Sequence, residues 1–173
     1  MTEDEAKELY GQFGLTAYHG QCVEMEAGTL LLTFISVGNR ITREEAMSAI
    51  DASIERQTFG ALLRTIKDVV DFGDTALTAV DDALKKRNHL VHHFFRVHAS
   101  DMLTPQGRRK MIEELEEFRR SFQKADTILH SITLAILKTM GLSEGEIQDA
   151  VNVEMIKNNP NKSTEPTDVS APR

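Results

Sequence analysis

The stretch TPQGRRKMIEELEEFRRSFQKADTILHSITLAILKTMG, residues 104–141, decides the fold class. Thr104 is placed as an N-cap and Pro105 as the first helical residue, where a missing N–H costs nothing. From there Met111, Leu115, Phe118, Phe122, Ala125, Leu129, Ile132, Ile136 and Met140 recur every three or four residues, the period of one helix face. Gly141 supplies the C-terminal stop. A helix over 105–140 would be roughly 54 Å long at 1.5 Å per residue. That length outruns a small core unless a second helix or a second chain covers it.

The flanking segments carry the same period. A short lead-in helix is expected at Glu3–Phe13. A longer one follows at Leu15–Val37, with Tyr18, Cys22, Met25, Leu32 and Ile35 as its apolar face, ended by VGN (37–39). TREE (42–45) is a capping box opening a helix to about Arg56. TFGALLRTIKDVV (58–70) is helical up to the break at DFGD (71–74), and the next helix spans Asp74–Ala99, ended by Ser100-Asp101. SEGE (143–146) is a second capping box, for a last helix to about Lys157. Val, Ile and Thr nowhere alternate with polar residues over a useful length, so no strands are expected. The expected architecture is an all-α bundle of five to six helices, one domain over 1–157. The polar, Pro-bearing segment 158–173 is expected to be a disordered tail.

At 173 residues with 40% hydrophobic side chains, the chain can bury one sizeable core. The single cysteine, Cys22, excludes an intramolecular disulfide and a cysteine metal cluster, and its helical setting suggests a small buried hydrophobe. The N-terminal MTEDEAKELY is acidic and has no apolar h-region, and no apolar run is long enough to span a bilayer. A cytoplasmic protein without membrane contact is expected. Net charge is −7, which disfavours indiscriminate binding to nucleic-acid backbones. The charge is uneven, however: residues 84–125 hold ten bases against five acids, concentrated in KKR (85–87), RRK (108–110) and Arg119-Arg120.

Residues 85–98, KKRNHLVHHFFRVH, contain four of the six histidines and no acid. On a helix the seam toward the core runs 77, 80, 84, 87, 91, 94 and 98, and Arg87 takes its slot between Leu84 and Val91. A guanidinium cannot lose its charge by deprotonation, so it needs a carboxylate, carbonyls, water or an anionic ligand there. It could snorkel from the core edge, pair with an acid on another helix, face a subunit interface, or hold a phosphate. Asn88 and His92 lie together on the border of the same face. His98 falls in the seam as a satisfied core histidine. His89 and His93 look outward with Lys85 and Arg96. His89 and His93 have the i, i+4 spacing of a helical zinc pair. The run nevertheless lacks a carboxylate or thiolate and is cationic, so neither a metal nor another cofactor is expected.

Arg87-Asn88-x-x-x-His92 resembles the R-x4-H motif, with a polar residue after the Arg, of the HEPN superfamily (higher eukaryotes and prokaryotes nucleotide-binding domains). The resemblance implies a helical bundle of four or five helices, a two-fold homodimer and, in many members, metal-independent ribonuclease activity. It casts Arg87 as phosphate clamp, His92 as acid/base and Asn88 as positioning group. Lys85, Lys86, His93 and Arg96 would be substrate-binding neighbours. The apolar surplus of the 105–140 helix suits a dimer. The implied setting is toxin–antitoxin, phage-defence or RNA-processing, with an RNA substrate and a cognate antitoxin protein as partners. His93 also offers an R-x5-H alternative. A subset of the family continues R-x4-H-x-Y with a modifiable Tyr; here that position is Phe94, which puts such control in doubt. A HEPN-like dimer that binds nucleotide, RNA or protein without cleaving, and a generic helical interaction protein, stay open beside the enzyme.

Overall fold

The computed structural model describes residues 2–39, 58–141 and 145. The expected capping box at 42–45, the helix to Arg56, the last helix to Lys157 and the tail over 158–173 lie outside them, as does the 143–146 box apart from Gly145. Among the described residues there are five α-helices and one 3-10 turn, and no strand. These are α1 (Glu3–Asn39), α2 (Phe59–Val69), α3 (Gly73–His92), α4 (Phe94–Val97) and α5 (Pro105–Thr139), with the 3-10 turn at Asp101–Leu103 between α4 and α5. Met1–Ile136 forms one compact unit and Leu137–Arg173 a second. No described helix is long and apolar enough to cross a membrane.

The lead-in helix and the first long helix are one element, α1, of 37 residues. The two were expected to part between Phe13 and Leu15, but Gly14 there has no positive φ and the helix runs through it. The buried series Leu9, Thr16, Gly20, Val23, Ala27, Leu30 continues across the glycine, so packing outweighs a propensity penalty of about 1 kcal/mol. The buried face also differs from the expected one. Tyr18 and Met25 are 61% and 73% exposed, and Cys22 is only half-buried. The face against the core is instead built with small residues: Thr16, Gly20, Ala27 and Gly28.

α2 opens as expected at Thr58, whose side chain accepts the Ala61 N–H, and buries Phe59, Leu62, Leu63 and Ile66. The break at 71–74 is made by Gly73, at φ +63°, whose N–H donates to Asp71 Oδ1 (3.2 Å). The helix expected over Asp74–Ala99 is interrupted at His93 (φ −130°, ψ −25°), which separates α3 from α4. At the start of α5, Thr104 Oγ1 accepts the Gly107 N–H (3.0 Å), the anticipated cap. Gly107 lies against the 3-10 turn, where a Cβ would stand 2.5 Å from Asp101 Cα. In the second unit the helix end is closed by Met140 and Gly141, which donate to Leu137 and Lys138 carbonyls at 3.0 Å, with Gly141 at φ +81°.

Side-chain pairs define the helix directions. α5 runs parallel to α1, linked by Arg108 to Glu5 (2.7 Å), Arg119 to Gln12 (2.6 Å) and Thr133 to Glu26 (3.2 Å). α3 is antiparallel to both, with Arg87 beside Glu24 and Lys86 beside Ser121. The α5 stripe Met111, Leu115, Phe118, Phe122, Ala125 and Leu129 is buried as its spacing predicts. α1, which runs alongside, covers this stretch of the stripe within the chain, while Ile132 and Ile136 are half-buried and Met140 is exposed.

Candidate functional site

The buried face of α3 runs Val80, Ala83, Leu90 and on to Phe94 in α4, and Arg87 occupies its missing position, between Ala83 and Leu90. Its neighbours on the face therefore differ from those expected. Leu84 is half-buried and Val91 is 53% exposed. The arginine stem crosses α1 at Gly20, where a Cβ would come within 3.7 Å of Arg87 Cγ and 3.6 Å of Phe122 Cε2. Beyond the stem, Arg87 Nε lies 2.5 Å from Glu24 Oε1, one helical turn further along α1. That carboxylate oxygen is buried yet accepts no hydrogen bond among the described residues, so the approach is off the N–H axis and the contact is Coulombic. Arg87 Nη1 reaches Asn88 Oδ1 only at 3.4 Å, and Nη2 donates to no group among the described residues. An arginine side chain only 26% exposed thus leaves most of its five donors unused.

The other expected residues divide into two groups. Asn88 and His92 are exposed, and His92 makes no hydrogen bond or ion pair among the described residues. Lys85, His93 and Arg96 are also exposed; Arg96 Nη2 donates to His93 Nδ1 at 2.9 Å. Lys86 is engaged elsewhere, in a clip from α3 to α5: its ammonium meets Asp82 and Glu117 at 3.0 Å and Ser121 at 2.7 Å. Burial works against its charge, but bonds to Glu117 and Asp82 outweigh it and raise its pKa.

His89, expected to look outward beside His93, turns toward α5. Its ring stands edge-on to Phe118 with centroids 5.7 Å apart. Its buried Nε2 is 3.6 Å from Glu114 Oε1, within ion-pair range if protonated but too far for a hydrogen bond. His98 is buried, and its two ring nitrogens face Asp101 Oδ2 (2.7 Å) and Glu114 Oε2 (2.8 Å). Only an imidazolium donates to both. The bond from His98 holds the Asp101 carboxyl below its ordinary value. No three His, Cys, Asp or Glu side chains among the described residues are arranged to hold a metal.

Much of the basic character of 84–125 is spent inside the unit. Arg108 is buried against Glu5 and donates to the Met102 carbonyl (2.9 Å), and Arg119 is tied to Gln12. Glu5 is held at about 2, from an ordinary 4.5, by the Thr2 backbone N–H and then by Arg108. The cations that stay exposed near the motif are Lys85 and Arg96.

Sequence reasoning passed over Glu24, which nothing in its local spacing couples to residue 87, and the flank on which the motif lies. α2 meets α3 between Gly60 and Leu84 and between Lys67 and Asp81, so it covers the first half of α3 only. Past it, Asn88, Val91 and His92 on α3 are open, and so is Tyr10 on α1, whereas exposed Tyr18 lies toward Cys22 and toward Asp126 of α5. Tyr10 stacks obliquely on Phe95, with centroids 5.8 Å apart. A separate concavity of about 500 Å³ at the α2–α3 turn, between Lys67, Asp71, Phe72 and Leu77, contains none of the motif residues. No family model, curated protein or solved structure matches this chain.

Proposed function

We propose that the chain is a HEPN-like domain acting as a metal-independent endoribonuclease, with Arg87, Asn88 and His92 as its working edge. The observation that carries the proposal is the state of Arg87. Glu24 anchors the guanidinium along its Nε edge, Nη2 has no hydrogen bond among the described residues, and exposed Asn88 and His92 follow on the same helix. A fork fixed from behind and free in front suits bidentate contact with phosphate.

In such a reaction the 2′-oxygen attacks the neighbouring phosphorus as its proton is removed. The bond to the 5′-oxygen breaks, and that oxygen takes up a proton, leaving a 2′,3′-cyclic phosphate and a 5′-hydroxyl. Arg87 would neutralise the charge that builds on the non-bridging oxygens, and His92 would move the protons. One histidine per chain serves one of the two transfers at a time, so the proposal carries a homodimer with it. The setting it fits is cytoplasmic toxin–antitoxin, phage defence or RNA processing, with an antitoxin protein as a partner.

One observation favours the non-catalytic binding module: Glu24 already neutralises Arg87. Wild type, Arg87→Ala, His92→Ala and His93→Ala decide between them, assayed for RNA cleavage in EDTA and growth arrest on expression. Chelator-resistant cleavage that is lost in the first two variants and retained in His93→Ala is expected. A folded wild type that neither cleaves nor arrests growth refutes the enzyme. Cleavage abolished by EDTA refutes metal independence.

A further inference from the structure

We infer that the outward side of α1 seats a second copy of this chain, lying antiparallel across a two-fold axis at Cys22. It is carried by α1 alone and goes beyond the ribonuclease reading, which asks for a homodimer without saying which surface forms it.

Three features of α1 point there. First, the side turned away from the core carries no charge of its own. Glu24 and Glu26 are the only charged residues from 9 to 39, in a chain that is 27% charged. Both are turned to neighbouring helices: Glu24 meets Arg87 of α3, and Glu26 meets His130 and Thr133 of α5. A helix side that faces water normally carries charge, and a helix apolar all round is covered all round. Second, what this side exposes is large and apolar. Leu15, Tyr18 and Met25 are 45%, 61% and 73% exposed. The Tyr18 hydroxyl is bonded to Cys22 on the same side, with Asp126 of α5 at the margin. Third, the face has the order a two-fold needs. Positions 11, 15, 18, 22, 25, 29 and 32 alternate by four and three over three heptads, about 32 Å of helix. Turned about Cys22, this seam sets Gly11 against the partner's Leu32, Leu15 against the partner's Thr29 and Tyr18 against the partner's Met25. Bulky side chains meet small ones, and the aromatic ring meets a thioether. At Gly11 no atom lies within 4 Å of where a Cβ would stand, which leaves room for the opposing leucine.

The same features select the occupant. Nucleic acid and anionic lipid both call for cations, and α1 has none between Lys7 and its end at Asn39. Between two chains of net charge −7, an uncharged seam is where like charges repel least.

Sedimentation velocity of the full chain at micromolar concentration tests the interface, with a short bismaleimide as second readout because Cys22 is the only thiol. A dimer that the reagent joins through Cys22 is expected. Met25→Glu buries an unpaired carboxylate on each side of the axis and should weaken pairing at least about a hundredfold. Met25→Leu, which keeps the apolar contact, should pair like wild type. Far-UV circular dichroism verifies that both variants fold, as expected for a side chain 73% exposed in the single chain. A monomeric wild type overturns the inference. If that monomer binds phosphatidylcholine vesicles, the face belongs to lipid; if its Met25 resists oxidation by peroxide, the face belongs to another part of the same chain. A dimer that Met25→Glu leaves intact, or whose Cys22 thiols do not join, also overturns it. A wild type that pairs through Cys22 without cutting RNA upholds the interface and removes the enzyme; one that cuts RNA as a dimer through another face does the reverse.

Discussion

Gly107→Ala is expected to destabilise this protein, although replacing a helical glycine by alanine ordinarily helps. Gly107 is the third residue of α5 and has no positive φ that would demand glycine. Helix propensity alone would therefore reward alanine by about 1 kcal/mol. The added Cβ would stand 2.5 Å from Asp101 Cα and 2.6 Å from its carbonyl carbon, against the roughly 3.5–4 Å that carbons tolerate. Asp101 cannot simply retreat. Its side chain is bonded to His98 (2.7 Å), its carbonyl accepts from Thr104 (3.2 Å), and Met102 beside it is held by Arg108 (2.9 Å). Overpacking costs about 1–3 kcal/mol, and each neutral hydrogen bond disturbed adds about 0.5–1.5 kcal/mol. The net loss is about 2 kcal/mol, or a fall in Tm of about 4–8 °C for a chain of this size. Gly14→Ala is the internal control. No atom lies within 4 Å of a Cβ there, so it should stabilise by about 0.5–1 kcal/mol. Thermal and urea unfolding followed by far-UV circular dichroism measure both. A Gly107→Ala protein as stable as wild type, or two variants shifting in the same direction, would refute the account of the α4–α5 turn.

Phe122 is fully buried between α1, α3 and α5, and Phe122→Ala should cost about 3–5 kcal/mol in urea unfolding; less than about 1 kcal/mol would show that the bundle does not close there. His98→Ala strips Asp101 and Glu114 of the one imidazole they share and should cost about 3 kcal/mol, whereas His93→Ala, on an exposed ring, should change stability by less than about 0.5 kcal/mol. Glu5 titrates near 2 in the folded chain and near 4.5 unfolded, so its contribution is present above about 4.5 and is lost as pH falls toward about 2. Glu5→Gln should accordingly flatten the fall in stability across that window, and an unchanged acid limb would show that the Thr2 N–H and Arg108 do not hold the carboxylate.

Much of the bundle is legible from residue types. The α5 stripe, the Thr104 cap, the Gly73 break and the Gly141 stop are each local, and each stands where spacing and propensity put it. The inward face of α1 was hidden because close helix contact selects small residues. Gly20 and Ala27 carry no apolar signal, while Tyr18 and Met25 carry a strong one and face outward. The anomaly at Arg87 was legible as a cation on a core face, but its partner was not, since an ion pair between helices leaves no mark in either one's periodicity. His89 was misplaced by a wheel centred on Leu84 and Val91; the true face, through Ala83 and Leu90, turns it toward Phe118 and Glu114.

The parallel pairing of α1 with α5 has a consequence for biosynthesis. Arg108 and Glu5, which join the two helices, are 103 residues apart. At about 5–20 residues per second, the ribosome needs on the order of 5–20 s to make the intervening chain. Throughout that interval the side of the 37-residue α1 that Glu5, Gln12, Thr16 and Glu26 turn to α5 has no α5 to lie against, and the helix waits for its last partner. Nascent-chain chaperones that bind exposed apolar helices should therefore associate with translating ribosomes from α1 onward and depart once Leu129 has emerged.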